Sequence, residues 1–374
     1  MTSLRKFTIR FFILLNIITG ILFLLTCCNA FLHPDKWWFI SLLAFFFPLF
    51  LILLLLFLII WLFLRKRNVL ISILCVLIGW KNIHSFFGFS LATHDFSQKD
   101  SSSLRIMTWN VRSWDEFTTK KLDASGHRLP MLKLVGKQHA DVMCFQEFFE
   151  PADTAKSNIR YIQREFQFPY YYFSRDFRFR INKYELGTII FSKYPIINTY
   201  QTRFSADTNI RTESLIAADI EVHNKVVRIF TTHLQSVLFK AKDFRNVEII
   251  RNAEDSMLQA SRSLAKKLKG ALGLRGYQAD TVRKRLDACS HPLVICGDFN
   301  DVPNSYTYFH IRGNLQDAFI AKSFGIGRSY IHISPTLRID YILPSKEFKV
   351  IQTMKLASPY SDHYAFITDL QLQE

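Results

Sequence analysis

The sequence predicts an α/β domain, two mixed β-sheets packed face to face with helices outside, preceded by an N-terminal transmembrane helical region. Three observations predict it. The apolar residues of the first 91 positions fall in long uncharged stretches of bilayer length. From residue 104 onward, short strand-like runs interleave with helical stretches. Several of those runs follow one another closely, as at 214 to 233, which a simple doubly wound sheet does not do.

At 374 residues the chain has room for one large domain and an appendage. Phe11 to Leu32 and Trp37 to Leu64 contain no charged residue, and each exceeds the roughly 20 apolar residues a bilayer crossing needs. The third segment, 69–91, is interrupted by Lys81 and His84. It reads as a span with Trp80 and Lys81 at an interface, where such side chains snorkel. Arg5, Lys6 and Arg10 precede the first span, and Arg65, Lys66 and Arg67 fill the link between the second and third. The link His33-Pro-Asp-Lys36 carries one Lys offset by one Asp. Basic loops stay cytoplasmic, so the expectation is a multi-pass protein of the cytoplasmic (inner) membrane whose folded domain lies on the extracytoplasmic side. A domain inside the cell follows instead if the third segment does not cross. The second uncharged run argues against a cleaved signal peptide, and Thr26 fits a lipidated Cys27 poorly.

Residues 92–103, ending in three serines, read as a polar linker, and 104–374 as one compact domain. From residue 104 onward 38 basic residues face 28 acidic ones, a net +10 that suits an anionic substrate or surface. The domain opens with the alternating strand Leu104 to Val111, then a helix through Leu129 to His139 and a strand from Asp141 to Glu147. Further strand-like runs are Glu185 to Ser192, Ser214 to Val222, Val226 to His233, Leu293 to Cys296, Ile339 to Leu343 and Ala365 to Leu370. Phe239 to Asp287 is basic and helix-rich, with Gly270, Gly273 and Gly276 at its middle. It reads either as a solvated pair of surface helices or as an element facing phosphates or lipid headgroups. No CxxC spacing occurs, Cys144 and Cys296 sit inside strand-like runs, and no structural disulfide is expected.

Three short runs carry candidate chemistry: Cys296-Gly-Asp-Phe-Asn-Asp301, Arg338-Ile-Asp-Tyr341 and Ser361-Asp-His363. Each places a carboxylate or imidazole at the end of an apolar segment, where a sheet holds it in a cleft. Phosphoester hydrolysis needs a cation on the phosphoryl oxygens, an activated water and a stabilised leaving group. Hard divalent ions prefer carboxylate and amide oxygens, so Glu147 and Asn110, at two strand ends, are candidates to flank one. If 298–300 is extended, Asp298 and Asn300 point to the same side, away from Phe299. Asp362 and His363 reach one cleft from a turn. His363 is a natural proton carrier that needs a partner to fix its tautomer, and Asp340 is the candidate. His233 ends its strand with a second imidazole.

These residues resemble the exonuclease-endonuclease-phosphatase superfamily. The matching runs are Thr108-Trp-Asn-Val111, Phe145-Gln-Glu147, Gly187 to Ile196, Thr232-His-Leu-Gln235, Gly297-Asp-Phe-Asn300, Ile339-Asp-Tyr341 and Ser361-Asp-His363, in the family's order across 104–374. The resemblance implies a four-layered α/β sandwich with the site between the sheets' strand ends. It implies a divalent cation, Mg2+ or Mn2+, at Glu147, with Asn110 and Asp362 nearby. His363 would act as general base or phosphate binder paired to Asp340, Asp298 would align or activate water, and Asn300 and His233 would steady the phosphoryl group. Thr232-His233 stands where apurinic endonucleases carry a tyrosine, and Phe148-Phe-Glu-Pro151 does not look like their DNA-gripping stretch. His233 is closer to the deoxyribonuclease I and sphingomyelinase branches.

The expected function is therefore membrane-anchored, metal-dependent hydrolysis of phosphodiester or phosphomonoester bonds, with nucleic acid or a phospholipid headgroup as substrate. A sphingomyelin-type phosphodiesterase is the alternative within that class. Outside it stands a non-catalytic membrane receptor for a phosphorylated ligand, which would lack a metal or base residue; none is missing. A transporter is excluded because the spans offer no polar pathway beyond Lys81 and His84. The lipid bilayer is the only other partner expected, and no protein partner.

Overall fold

The computed structural model describes residues 3–90, 96, 98–116, 127–179, 183–205, 212–237 and 241–373. They form two compact units. The first comprises Met1–Phe87, Val237–Tyr277 and Val302–His310; the second comprises Gly88–Ser236, Gln278–Asp301 and Ile311–Glu374.

In the first unit, Leu4–Ala30 and Trp38–Leu64 are each 27 residues long and apolar enough to cross a membrane. Their large side chains mostly face outward, as Phe63, Leu64 and Ile52 do, which suits a lipid environment better than water. Asn16 and Ser72 share a buried hydrogen bond of 3.1 Å between the first and third segments. The third segment is not straight. Lys66–Ile78 and Trp80–Phe86 meet at 62°, and at the break Gly79 packs so tightly that a Cβ would lie 2.4 Å from the Phe23 ring. Leu91, the expected end of that segment, and residues 92–95 and 97 of the expected linker lie outside the described residues.

Two helices, Ala241–Arg251 and Met257–Asp287, occupy the basic stretch. The three glycines at its middle do not divide it. Gly273 and Gly276 lie inside the second helix and let its backbone approach the 33–35 link, where a Cβ on Gly276 would meet Pro34 at 2.7 Å.

The strands of the second unit are β1 (Gly88–Phe89), β2 (Leu104–Asn110), β3 (Val142–Pro151), β4 (Tyr170–Phe173), β5 (Phe177–Phe179), β6 (Tyr184–Ser192) and β7 (Ile196–Arg203). They continue with β8 (Ser214–Val222), β9 (Lys225–His233), β10 (Leu293–Asp298), β11 (Phe324–Gly325), β12 (Asp340–Pro344), β13 (Phe348–Leu356) and β14 (Ala365–Leu372). β1 and β11 form a small two-stranded sheet; of the two large sheets, one has the order β13-β14-β2-β3-β6-β4, with β5 beside β6, and the other the order β12-β10-β9-β8-β7. Both mix parallel and antiparallel pairs, β2 with β3 and β9 with β10 being the parallel ones.

Alternation within the strands builds the layers. Ile106, Cys144 and Ile190 from one sheet and Ile216, Ala218, Ile229, Val294, Cys296 and Ile342 from the other form the apolar interior. The opposite faces of β2 and β3 present Met107, Trp109, Met143 and Phe145 to the helices Arg128–Gly136 and Asn158–Phe166. Helix, sheet, sheet and helix give the four-layered α/β sandwich that the sequence leads one to expect. Gln146 links the two sheets through polar contacts, its amide donating to Thr108 Oγ1 at 3.1 Å and Thr231 Oγ1 at 3.0 Å.

Candidate functional site

Strand register assembles the site. Across three adjacent strands His233, Asp298 and Asp340 are Cα partners in one row, His233 on β9, Asp298 on β10 and Asp340 on β12. Asn110 ends β2 in the facing sheet. Glu147 sits at a register shift in β3 between Phe145 and Phe148, with φ +50. A bulge there turns one residue out of the ladder and re-aims its side chain. Glu147 is accordingly half-exposed between buried neighbours. Gly297, before Asp298, has φ +136, and a Cβ there would lie 2.1 Å from Thr232 O, so the parallel β9–β10 contact admits only glycine.

The side chains converge. Asn110 Nδ2 donates to Glu147 Oε1 at 3.2 Å and to Asp298 Oδ2 at 3.1 Å, bridging the two carboxylates. His233 Nε2 lies 3.5 Å from Asp298 Oδ2 and 3.9 Å from Glu147 Oε1. His363 Nδ1 lies 2.9 Å from Asp340 Oδ2, and its Nε2 lies 3.7 Å from Asp298 Oδ2. Asp298, Asp340 and His363 each offer a ligand atom within 4.8 Å of the others. Asp340 Oδ1 is buried without a hydrogen bond among the described residues. A set of carboxylate, amide and imidazole donors, with a buried carboxylate oxygen to spare, fits a hard divalent cation.

Two residues lie differently from the sequence expectation. The chain is not extended through Asn300. It has φ +53, its N–H donates to Asp298 Oδ1 at 2.8 Å, and its Nδ2 donates to Leu234 O at 3.0 Å. The turn therefore clamps Asp298 and replaces the simple alternation about Phe299. Asp362 stands at the margin, 3.8 Å from Arg112 Nε, outside the Asp298–Asp340–His363 cluster.

Residues 107–363 match the model of the Endonuclease/Exonuclease/phosphatase family, well over half the chain. The chain belongs to this family. Its members hydrolyse phosphoester bonds and generally use divalent metals. Residues 9–86 match a domain of unknown function (DUF8431), and none of the curated proteins matches the chain. Solved structures agree on the fold. An endonuclease/exonuclease/phosphatase protein from Beutenbergia cavernae is 18% identical with a TM-score of 0.52, covering 73% of this chain and 72% of that one. A family protein from Leptotrichia buccalis is 14% identical with a TM-score of 0.50, covering 72% and 100%. The human Nocturnin catalytic domain, determined with a bound sulfate anion, is 16% identical with a TM-score of 0.50, covering 74% and 97%.

Within this family member the electrostatics are tightly coupled. Burial raises the Asp298 carboxyl, and the nearby Asp340 raises it further. Burial alone would depress both imidazoles, but facing carboxylates outweigh it. Glu213, Asp298 and Glu147 lift His233 to about 10, and Asp340, Asp298 and Asp362 lift His363 to about 10.

Glu213 was missed by sequence reasoning. Its Oε2 lies 2.5 Å from His233 Nδ1, and burial, opposed by that imidazole, pushes its carboxyl up to about 7. The hairpin signals it. β8 and β9 join through a two-residue turn, His223-Asn224, both with positive φ, and Leu215 pairs with Thr232. Counting back from that turn brings 213 beside the end of β9. Tyr330, which pairs with His363 as an isolated bridge and packs on its ring at 5.0 Å, carried no sequence signal.

Proposed function

We propose that this chain is a membrane-anchored, divalent-metal-dependent phosphoesterase that hydrolyses phosphodiester or phosphomonoester bonds. The observation that carries it is the row His233–Asp298–Asp340 on one sheet facing Asn110 and Glu147 at the strand ends of the other. Glu147 would hold Mg2+ or Mn2+, with Asn110 and Asp362 nearby. The cation would neutralise the phosphoryl oxygens and lower the pKa of a bound water.

The chain's own groups supply the rest. Asp340 accepts from His363 Nδ1, which orients the ring and aims Nε2 towards Asp298. In that orientation His363 acts as proton carrier or phosphate ligand. Asp298 is held on both oxygens, by the Asn300 N–H and by Asn110 Nδ2, in the posture needed to orient an attacking water. His233, braced from behind by Glu213, presents Nε2 to a phosphoryl oxygen. Asn300 completes that cradle with its second amide hydrogen.

Anchoring by the N-terminal helices, in the cytoplasmic membrane, is part of this reading. Arg5, Lys6 and Arg10 before the first span and Arg65 to Arg67 after the second mark cytoplasmic ends, and a third segment that crosses would then carry the catalytic chain to the extracytoplasmic side.

The test is turnover by the purified full chain with Mg2+ or Mn2+ on plasmid DNA, sphingomyelin, phosphoinositides and an aryl phosphodiester. Metal-dependent hydrolysis abolished by Glu147→Ala and His363→Ala is expected, and the preferred substrate separates the nuclease from the lipid branch. Metal binding by the folded chain without turnover of any substrate would replace this reading with a receptor for a phosphorylated ligand.

A further inference from the structure

The helix Met257–Asp287 is 31 residues long, far more than a sandwich layer needs. From Met257 to Tyr277 it carries Arg262, Lys266, Lys267, Lys269 and Arg275 and no acidic residue. Lys267 is neutralised by Asp243 and Arg275 is wholly buried, so the remaining charge is laid out unevenly.

Residues at three- and four-residue spacing share one face of a helix. One such stripe runs through Leu258, Arg262, Lys266, Lys269, Gly273, Gly276 and Tyr277. Its second half lies on the link between the first two apolar helices. Lys269 sits over the Trp38 ring at 5.3 Å, Tyr277 OH donates to Asp35 at 2.9 Å, and a Cβ would meet Asp35 at Gly273 and Pro34 and His33 at Gly276. That link, with Trp37 and Trp38 where a 27-residue apolar helix begins, has the character of a bilayer interface. The first half of the same stripe continues beyond the link as exposed Leu258, Arg262 and Lys266. Leu258 is 62% exposed beside the exposed Met257, which places an apolar pair next to the basic side chains.

We propose that this stripe docks on the anionic phospholipid headgroups of the bilayer that holds the spans, with Arg262 and Lys266 on the phosphates and Leu258 inserted among the acyl boundary. Basic side chains flanked by apolar ones on a helix lying at an interface fit that partner. The inference rests on the anchoring read above.

The test uses the full chain in nanodiscs of phosphatidylcholine, alone or mixed with phosphatidylglycerol, followed by hydrogen exchange of residues 257–269. Exchange is expected to slow in the anionic discs by about fivefold for each of the two side chains. High salt should reverse the slowing, and Arg262→Glu with Lys266→Glu should remove it. Equal exchange in both discs overturns the docking, and protection by added duplex DNA alone assigns the stripe to nucleic acid. Alkaline carbonate extraction separates the two layers of the argument. Release of the chain overturns anchoring and docking together, whereas retention with lipid-insensitive exchange overturns docking alone.

Discussion

Asp340 acts through His363. The 2.9 Å contact to Nδ1 orients the ring, and Ser329 Oγ in turn accepts from the Asp340 backbone N–H at 3.1 Å. Asp340→Asn keeps the shape but removes the charge that helps hold the His363 proton. We expect kcat to fall by about 10²–10⁴ with KM nearly unchanged, in steady-state assays on an aryl phosphodiester. A comparable rise in KM with kcat preserved would mean that the pair binds substrate without preparing the proton carrier. At this scale the residues lying in recognisable runs were legible: Asn110, Glu147, His233, Asp298, Asn300, Asp340, Asp362 and His363 all sit within or beside the site. What the sequence concealed was partnership. Glu213 lies 20 positions before His233, and only the β8–β9 register makes them neighbours. The half-turn at Asn300 was hidden because a left-handed asparagine and an extended one look alike in sequence.

Elements hold these side chains in place through a few exacting contacts. Gly297→Ala would drive a Cβ against Thr232 O at 2.1 Å and force alanine to φ +136. The expected cost is about 2–3 kcal/mol, read from urea unfolding, together with lost activity as Asp298 moves; unchanged stability would show that β9 and β10 yield easily. At the other end of the same sheet Arg228 Nη2 donates to Asp219 at 2.8 Å. Burial would raise the Asp219 carboxyl, but the Arg228 contacts win and hold it below its ordinary 3.8. A carboxylate lowered in the folded state contributes stability that is complete above that ordinary value and lost as pH falls through the folded one. The Tm gap between the native chain and Asp219→Asn should therefore be widest at neutral pH and shrink below about pH 4. A gap independent of pH would remove the ion pair from the account. Strand legibility followed burial. β8, β9 and β10 are apolar and were read from alternation and length, whereas β7 is an edge strand, exposed along most of its length and rich in polar residues. Nothing in its period separates it from a loop.

At the scale of the whole molecule, the N-terminal helices turn large apolar side chains outward, whereas the sandwich buries its own. The N-terminal helices were legible by length and lack of charge, the two properties a bilayer crossing requires. The bend at Gly79 was not, and at that break a Cβ would run into Phe23 on another helix. The basic stretch likewise appeared as a charge excess without an address, until the glycines that bring it against the 33–35 link supplied one. The central claim, that the facing strand ends form a cation-dependent phosphoesterase centre, is tested most directly by titrating Mg2+ or Mn2+ into the full chain while following aryl phosphodiester hydrolysis, with Glu147→Ala alongside. The account predicts saturable metal-dependent turnover that falls by at least about 10²-fold in the variant. Turnover that persists in chelator, or that Glu147→Ala leaves intact, would contradict it.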